Sequence, residues 1–224
     1  MKPRNTLATL KTRQGHPLDL VEHDNRYFLE SDGIQLAASH LARPAVELTE
    51  ALCQPFRPAR QPRVIFLGLG LGHALETALQ ALPQKGASFV VFPEAVDLPE
   101  TLAKHLPHVN FADDRITFEK ETPFFPLPDA LSDSQAIIVD HDALQKIAPR
   151  TWKLASNNVL NNLSGMLKNG ALLGILIDRP DPQMAKLIQK AGFDIVRELV
   201  PVSEKGKKKR VMYLARKGHY QRRH

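Results

Sequence analysis

Three glycines at alternate positions, Gly68, Gly70 and Gly72, interrupt the run RVIFLGLGLGHALETAL at positions 63–79. Glycine has no Cβ to keep a ligand away from the backbone. A glycine turn that opens a helix also exposes the N–H groups of the first helical turn. The next apolar run, ASFVVF, leads through Pro93 to Glu94. A carboxylate at that place can accept two hydrogen bonds from a ribose diol. The chemistry these residues suggest is the holding of a nucleoside. The spacing is G-x-G-x-G and not G-x-G-x-x-G, so the dinucleotide fingerprint is not met. A tight packing turn is the competing reading of the glycines, and a surface carboxylate that of Glu94, with Asp97 as the fallback acid.

These residues need a strand before the turn and a helix after it. Val64–Leu67 is a continuous apolar run, as expected for a strand buried on both faces. A helix is predicted over 73–82, a second strand over 87–92, a second helix over 96–106 and a short third strand over 116–118. A fourth strand, AIIVD, ends in Asp140, which reads as a functional acid or as a helix cap. A longer helix follows, with Trp152, Ala155, Val159, Leu163 and Leu167 on one face and Lys168-Asn169-Gly170 at its end. A fifth strand covers 171–177, and Asp181 with Pro182 opens another helix. Two β-rich runs flank the tip EKGKKK, which leaves no room for a helix, so they pair antiparallel. The expected fold is α/β: a Rossmann-like, doubly wound, mostly parallel sheet with a C-terminal antiparallel hairpin. Upstream, Ser31-Asp32-Gly33 marks a hairpin turn, and residues 42–56 have helical spacing. The linker RPARQP then divides a small N-terminal β and helical region, residues 1–57, from a nucleoside-binding domain, residues 58–224.

Taken together, GLGLG after a strand, an acid after the next, AIIVD, MLKNGALLGILI and the terminal hairpin resemble the class I S-adenosylmethionine-dependent methyltransferases. The motif Asp32-Gly33-Ile34-Gln35 in the N-terminal piece is similar to that of the spermidine synthase branch. The resemblance covers about residues 26–217 and speaks to fold more than to reaction. It implies that Gly68, Gly70 and Gly72 cradle the amino-acid part of S-adenosylmethionine or of its decarboxylated form, and that Glu94 holds the ribose. It places Glu121 or Thr122 at the adenine and Gln35 among the substrate-binding residues. It puts Asp140 where aminopropyltransferases keep a general base, with Asp142 helping to hold an amine. Two departures count against polyamine synthesis: Asp140-His141-Asp142-Ala143-Leu144 lacks a D-P-x-G-P-like continuation, and Arg43-Pro44-Ala45-Val46-Glu47 lacks the Tyr and His of a Tyr-His-Glu stretch. Methyl transfer to an unidentified small-molecule or RNA acceptor is expected. The alternatives are a catalytically silent nucleoside-binding or dimerisation protein, an RNA-associated methyltransferase, and an aminopropyltransferase. By the same resemblance a homodimer is expected.

The composition bounds these readings. The chain has 224 residues, 43% hydrophobic and 24% charged, with a formal net charge of +6. No stretch reaches the roughly 20 apolar residues of a membrane helix, and no apolar block follows the basic residues at the start, so no secretory signal is expected; the single cysteine suits a reducing cytoplasm. The single cysteine, Cys53, excludes an internal disulfide and reads as a packed thiol. His105 and His108 lack partners at metal spacing, so no metal is expected. The basic tip Lys205–Arg210 is mostly a solvated turn that offers nucleic acid a weak contact. His73 reads as a helix-start surface histidine or a contact to a ligand carboxylate, and PFFPLP at 123–128 as a lid or a packed loop.

Overall fold

A computed structural model describes residues 3–106, 109–120, 129–147, 157–179, 181–201 and 209–218. Four antiparallel strands come first: β1 (Asn5–Lys11), β2 (Pro17–His23), β3 (Arg26–Ser31) and β4 (Ile34–Ala38). Asp24 and Asn25 (φ 50° and 60°) join β2 to β3, and Asp32 and Gly33 (φ 49° and 73°) join β3 to β4. Two left-handed residues in a two-residue loop match the twist of the flanking strands. The second hairpin was expected. The first two strands were not, because residues 1–20 show little alternation and Asp24-Asn25 lacks a glycine.

Helix α1 (Arg43–Cys53) leads into the larger sheet, which has β5 (Arg63–Leu67), β6 (Ser88–Phe92), β7 (Ile116–Phe118), β8 (Ser134–Asp140), β9 (Leu167–Ile177), β10 (Phe193–Pro201) and β11 (Lys209–Lys217). Their order is β10-β11-β9-β8-β5-β6-β7. Strand β5 pairs in parallel with both β6 and β8, and β11 runs antiparallel to β9 and β10. This is the expected doubly wound sheet with a terminal antiparallel hairpin. The crossover helices are α2 (His73–Ala81), α3 (Leu98–His105), α4 (His141–Ile147), α5 (Asn157–Met166) and α6 (Pro182–Lys190). Asp181 caps α6 by accepting a hydrogen bond from the Gln183 N–H at 2.8 Å. Strand β9 begins at Leu167, earlier than expected, and Gly170 takes the anticipated left-handed torsion (φ 78°) within it. Trp152 and Ala155 of the predicted longer helix lie outside the described residues, as do His108 and 123–128.

The core strands are buried along their length, from Val64 to Leu67 and from Ala136 to Val139. Burial on both faces explains why they read as unbroken apolar runs. Helix α1 packs on α2 and across β9, with Leu48 and Leu52 fully buried. It lies so close to the sheet that a Cβ built on Gly174 of β9 would come within 2.3 Å of Leu52 Cδ1. Cys53, fully buried at the end of α1, is a packed thiol whose pKa burial pushes up to about 12. Among the described residues no helix is long and apolar enough to cross a membrane.

Candidate functional site

The chain leaves β5 for β6 on one side and later returns to β8 on the other. The carboxyl ends of β5 and β8 therefore flank the switch point where open α/β sheets hold ligands. A cavity of about 320 Å³ lies there, within the usual size range of small-molecule sites. Its floor comes from the turn after β5 and the ends of β8 and β9, and the segment around β4 and the start of α1 supplies the facing wall. Gln35, Gly68, Gly70, Glu94, Asp140 and Asp142 all line this one cavity, as does His73 at the start of α2.

All three glycines have left-handed torsions: φ is 100° at Gly68, 56° at Gly70 and 85° at Gly72. A side chain at any of them would be strained. Their surroundings differ. A Cβ on Gly68 would sit 3.3 Å from Glu94 Oε1, so this glycine makes room for the carboxylate. A Cβ on Gly72 would sit 3.0 Å from Phe111 Cζ and Val109 Cγ2. Gly72 thus packs against the segment before β7, opens α2, and does not line the cavity.

Glu94 is buried, with 3% of its surface exposed. Its Oε2 accepts a hydrogen bond from the Leu69 N–H at 3.0 Å and its Oε1 one from the Gly70 N–H at 2.9 Å. Two of the turn's amides are therefore spent on Glu94 and are not presented to a ligand, which differs from the expected cradle. A carboxylate has about four acceptor sites, so two backbone bonds leave capacity for a diol. Burial raises the Glu94 pKa above its ordinary value; the backbone bonds oppose this, and the nearby Asp140 charge adds to it. Asp97, the fallback acid, is an exposed residue at the start of α3.

The cavity also holds a charge cluster that the sequence did not reveal. Arg210, at the start of β11, points its guanidinium into it. Nη2 and Nη1 donate to Oδ1 and Oδ2 of Asp140 at 3.0 and 3.3 Å. Nη2 is 3.6 Å from Asp142 Oδ2. Nε lies 2.9 Å from Asp178 Oδ1, an ion-pair distance off the line of a hydrogen bond. Burial disfavours the Arg210 charge, but the three carboxylates outweigh it and hold the group protonated more firmly than usual. Asp140 Oδ1 also accepts from the Ala143 N–H at 3.3 Å, so this aspartate caps α4 as well as lining the cavity. Asp142 accepts a hydrogen bond from the Asp178 N–H. Burial, then the Asp178 charge, raises its pKa against the pull of that bond and of Arg210. Lys146 of α4 donates to the Gln35 carbonyl at 3.2 Å and stands 3.9 Å from Asp178, tying α4 to β4 across the cavity.

Asp178, Lys146 and Arg210 were missed. Asp178 follows ALLGILI as Asp140 ends AIIVD, and that parallel was the available signal. Arg210 was counted with the solvated tip, but its side chain is only 15% exposed and belongs to the cavity. Lys205, Lys207 and Lys208 lie outside the described residues, as do Glu121 and Thr122. Glu47 pairs with Arg43 along α1 at 2.7 Å.

The chain superposes on spermidine synthase from Thermotoga maritima with a TM-score of 0.70 at 16% identity, covering 95% of this chain and 73% of that one. A spermidine synthase in complex with the transition-state analogue AdoDATO gives a TM-score of 0.70 at 15% identity, covering 95% and 72%. A precorrin-6y C5,15-methyltransferase from Geobacter metallireducens GS-15 gives 0.54 at 12% identity, covering 75% and 87%. No known family profile and no curated protein matches the sequence. At these identities the likeness is one of fold. The protein has the fold of the spermidine synthase branch of the class I S-adenosylmethionine-dependent methyltransferases.

Proposed function

We propose that the cavity binds S-adenosylmethionine, or its decarboxylated form, and that the protein transfers the methyl group to an acceptor. The observation that carries this reading is the pairing of Glu94 with the glycine turn at the switch point. Gly68 leaves the space, the Leu69 and Gly70 amides fix the carboxylate, and its remaining acceptor sites suit a ribose diol. When bound, S-adenosylmethionine supplies an electrophilic methyl carbon on its sulfonium. The protein's part is then to hold the nucleoside and line up an acceptor, which needs few obligatory side chains.

Methyl transfer is placed ahead of aminopropyl transfer because of Asp140. A general base needs an oxygen within hydrogen-bond reach of the proton it takes. Here both Asp140 oxygens are held by Arg210, and one also by the Ala143 N–H. The same engagement favours a second reading, a module that binds the nucleoside without chemistry. Calorimetric titration with S-adenosylmethionine, its demethylated product and decarboxylated S-adenosylmethionine is the experiment. The first two are expected to bind at one saturable site, more tightly than the third. Preference for the decarboxylated ligand would turn the reading to aminopropyl transfer, and no binding of any of the three would remove the nucleoside site. Transfer of a labelled methyl group to a cell extract then separates the enzyme from the silent module.

A further inference from the structure

We infer that Arg210 sets the acceptor class of this cavity: its guanidinium fills the place that an acceptor's ammonium would take, and so shuts out linear diamines and polyamines. The inference rests on reading the cavity as a transferase site. Asp140, Asp142 and Asp178 end or follow neighbouring strands and converge on one point of the cavity wall. Three carboxylates this close form a receptor for a cation, and among the described residues no group of His, Cys, Asp or Glu side chains is arranged for a metal ion.

The cation already present is part of the chain. Arg210 holds Asp140 through both oxygens and stands within 3.6 Å of Asp142 and 2.9 Å of Asp178. A planar guanidinium with a fixed fork suits such a bidentate contact and stays charged at every working pH. An incoming ammonium must either displace it, leaving a guanidinium in a half-enclosed site without its partners, or sit beside it as a like charge. Lys146, 3.9 Å from Asp178, adds to the repulsion. Without Arg210 the cluster keeps three carboxylates against one lysine, and an ammonium has somewhere to go.

The test is calorimetric titration of the full-length chain with 1,4-diaminobutane, without any nucleoside, on the wild type, Arg210→Gln and Arg210→Lys. The wild type and Arg210→Lys should show no saturable diamine binding. Arg210→Gln should bind the diamine roughly 30-fold more tightly or better, since a close, desolvated charge pair is gained. The added Asp178→Asn change should weaken that binding again. Saturable binding to the wild type, equal binding to Arg210→Lys, or a folded Arg210→Gln that ignores the diamine would each overturn the inference. If Arg210→Gln does not fold, Arg210→Met, which keeps the apolar stem and removes the charge, takes its place in the same comparison. Because no nucleoside is present, failure here is separate from failure of the nucleoside site, which titration with S-adenosylmethionine reads on its own.

Discussion

Glu94→Ala is expected to abolish measurable binding of S-adenosylmethionine and its demethylated product, a loss of about 100-fold or more. Two charge-assisted hydrogen bonds to a ribose diol are worth about 3 kcal/mol or more together, and each 1.4 kcal/mol is tenfold. The substitution also strips the Leu69 and Gly70 amides of their acceptor, so the turn loses its fixed shape. Calorimetry reads the binding, and circular dichroism checks that the variant is folded. Glu94→Gln separates charge from shape. It keeps one acceptor for the amides but opposes the other N–H with its own donors, so binding should fall by an intermediate factor. The pH dependence supplies a second readout. The folded-state pKa of Glu94 lies above the ordinary 4.5, so the folded protein holds this proton more tightly than the unfolded chain does. Its contribution to stability is therefore fully present below about pH 4.5 and is lost as pH rises through the raised value. Relative to Glu94→Gln, the wild type should lose thermal stability over that rise. Parallel melting curves would contradict the assigned burial.

Gly174→Ala is expected to destabilise the protein by about 3 kcal/mol, lowering the melting temperature by roughly 6–12 °C. The new methyl would meet Leu52 Cδ1 at 2.3 Å and both Leu48 δ-carbons at 3.0 Å. Gly174 pairs with Ile138 on one side and Leu214 on the other, so β9 cannot retreat without breaking two ladders. The fully buried Leu52 and Leu48 side chains have to repack or α1 has to lift, and α1 carries Ala45 of the cavity wall. Nucleoside affinity should weaken along with stability. Leu52→Ala alone costs about 2–5 kcal/mol by emptying a packed site. Combined with Gly174→Ala, it should cost clearly less than the sum, because the removed side chain is the one the new methyl strikes. Strict additivity in thermal or denaturant unfolding would mean that α1 does not lie on β9 in the way described.

The central sheet was legible because β5, β6 and β8 are buried on both faces and spell continuous apolar runs. The hairpin of β10 and β11 followed from a tip too short and too basic to hold a helix. The N-terminal sheet was only half legible: Asp32-Gly33 announces its turn, but Asp24-Asn25 makes the same left-handed turn with side chains that usually signal loops. Of the cavity lining, Gly68, Gly70 and Glu94 were legible because their residue types serve a local backbone need. The Arg210 cluster was hidden for a different reason. Asp140, Asp142, Asp178 and Arg210 meet only because β8, β9 and β11 are neighbours, and a sequence read along the chain saw an acid at a strand end and an arginine in a basic run. Gly72 shows the reverse limit, since a glycine triplet looks uniform in sequence while one of its members serves packing alone.

The most direct measurement is a crystal structure of the protein with S-adenosylhomocysteine, the demethylated product. The nucleoside is expected at the ends of β5 and β8, its ribose hydroxyls within hydrogen-bond distance of Glu94, and Arg210 still paired with Asp140. A ligand bound elsewhere, or a ribose that leaves Glu94 facing only the Leu69 and Gly70 amides, would contradict this placement.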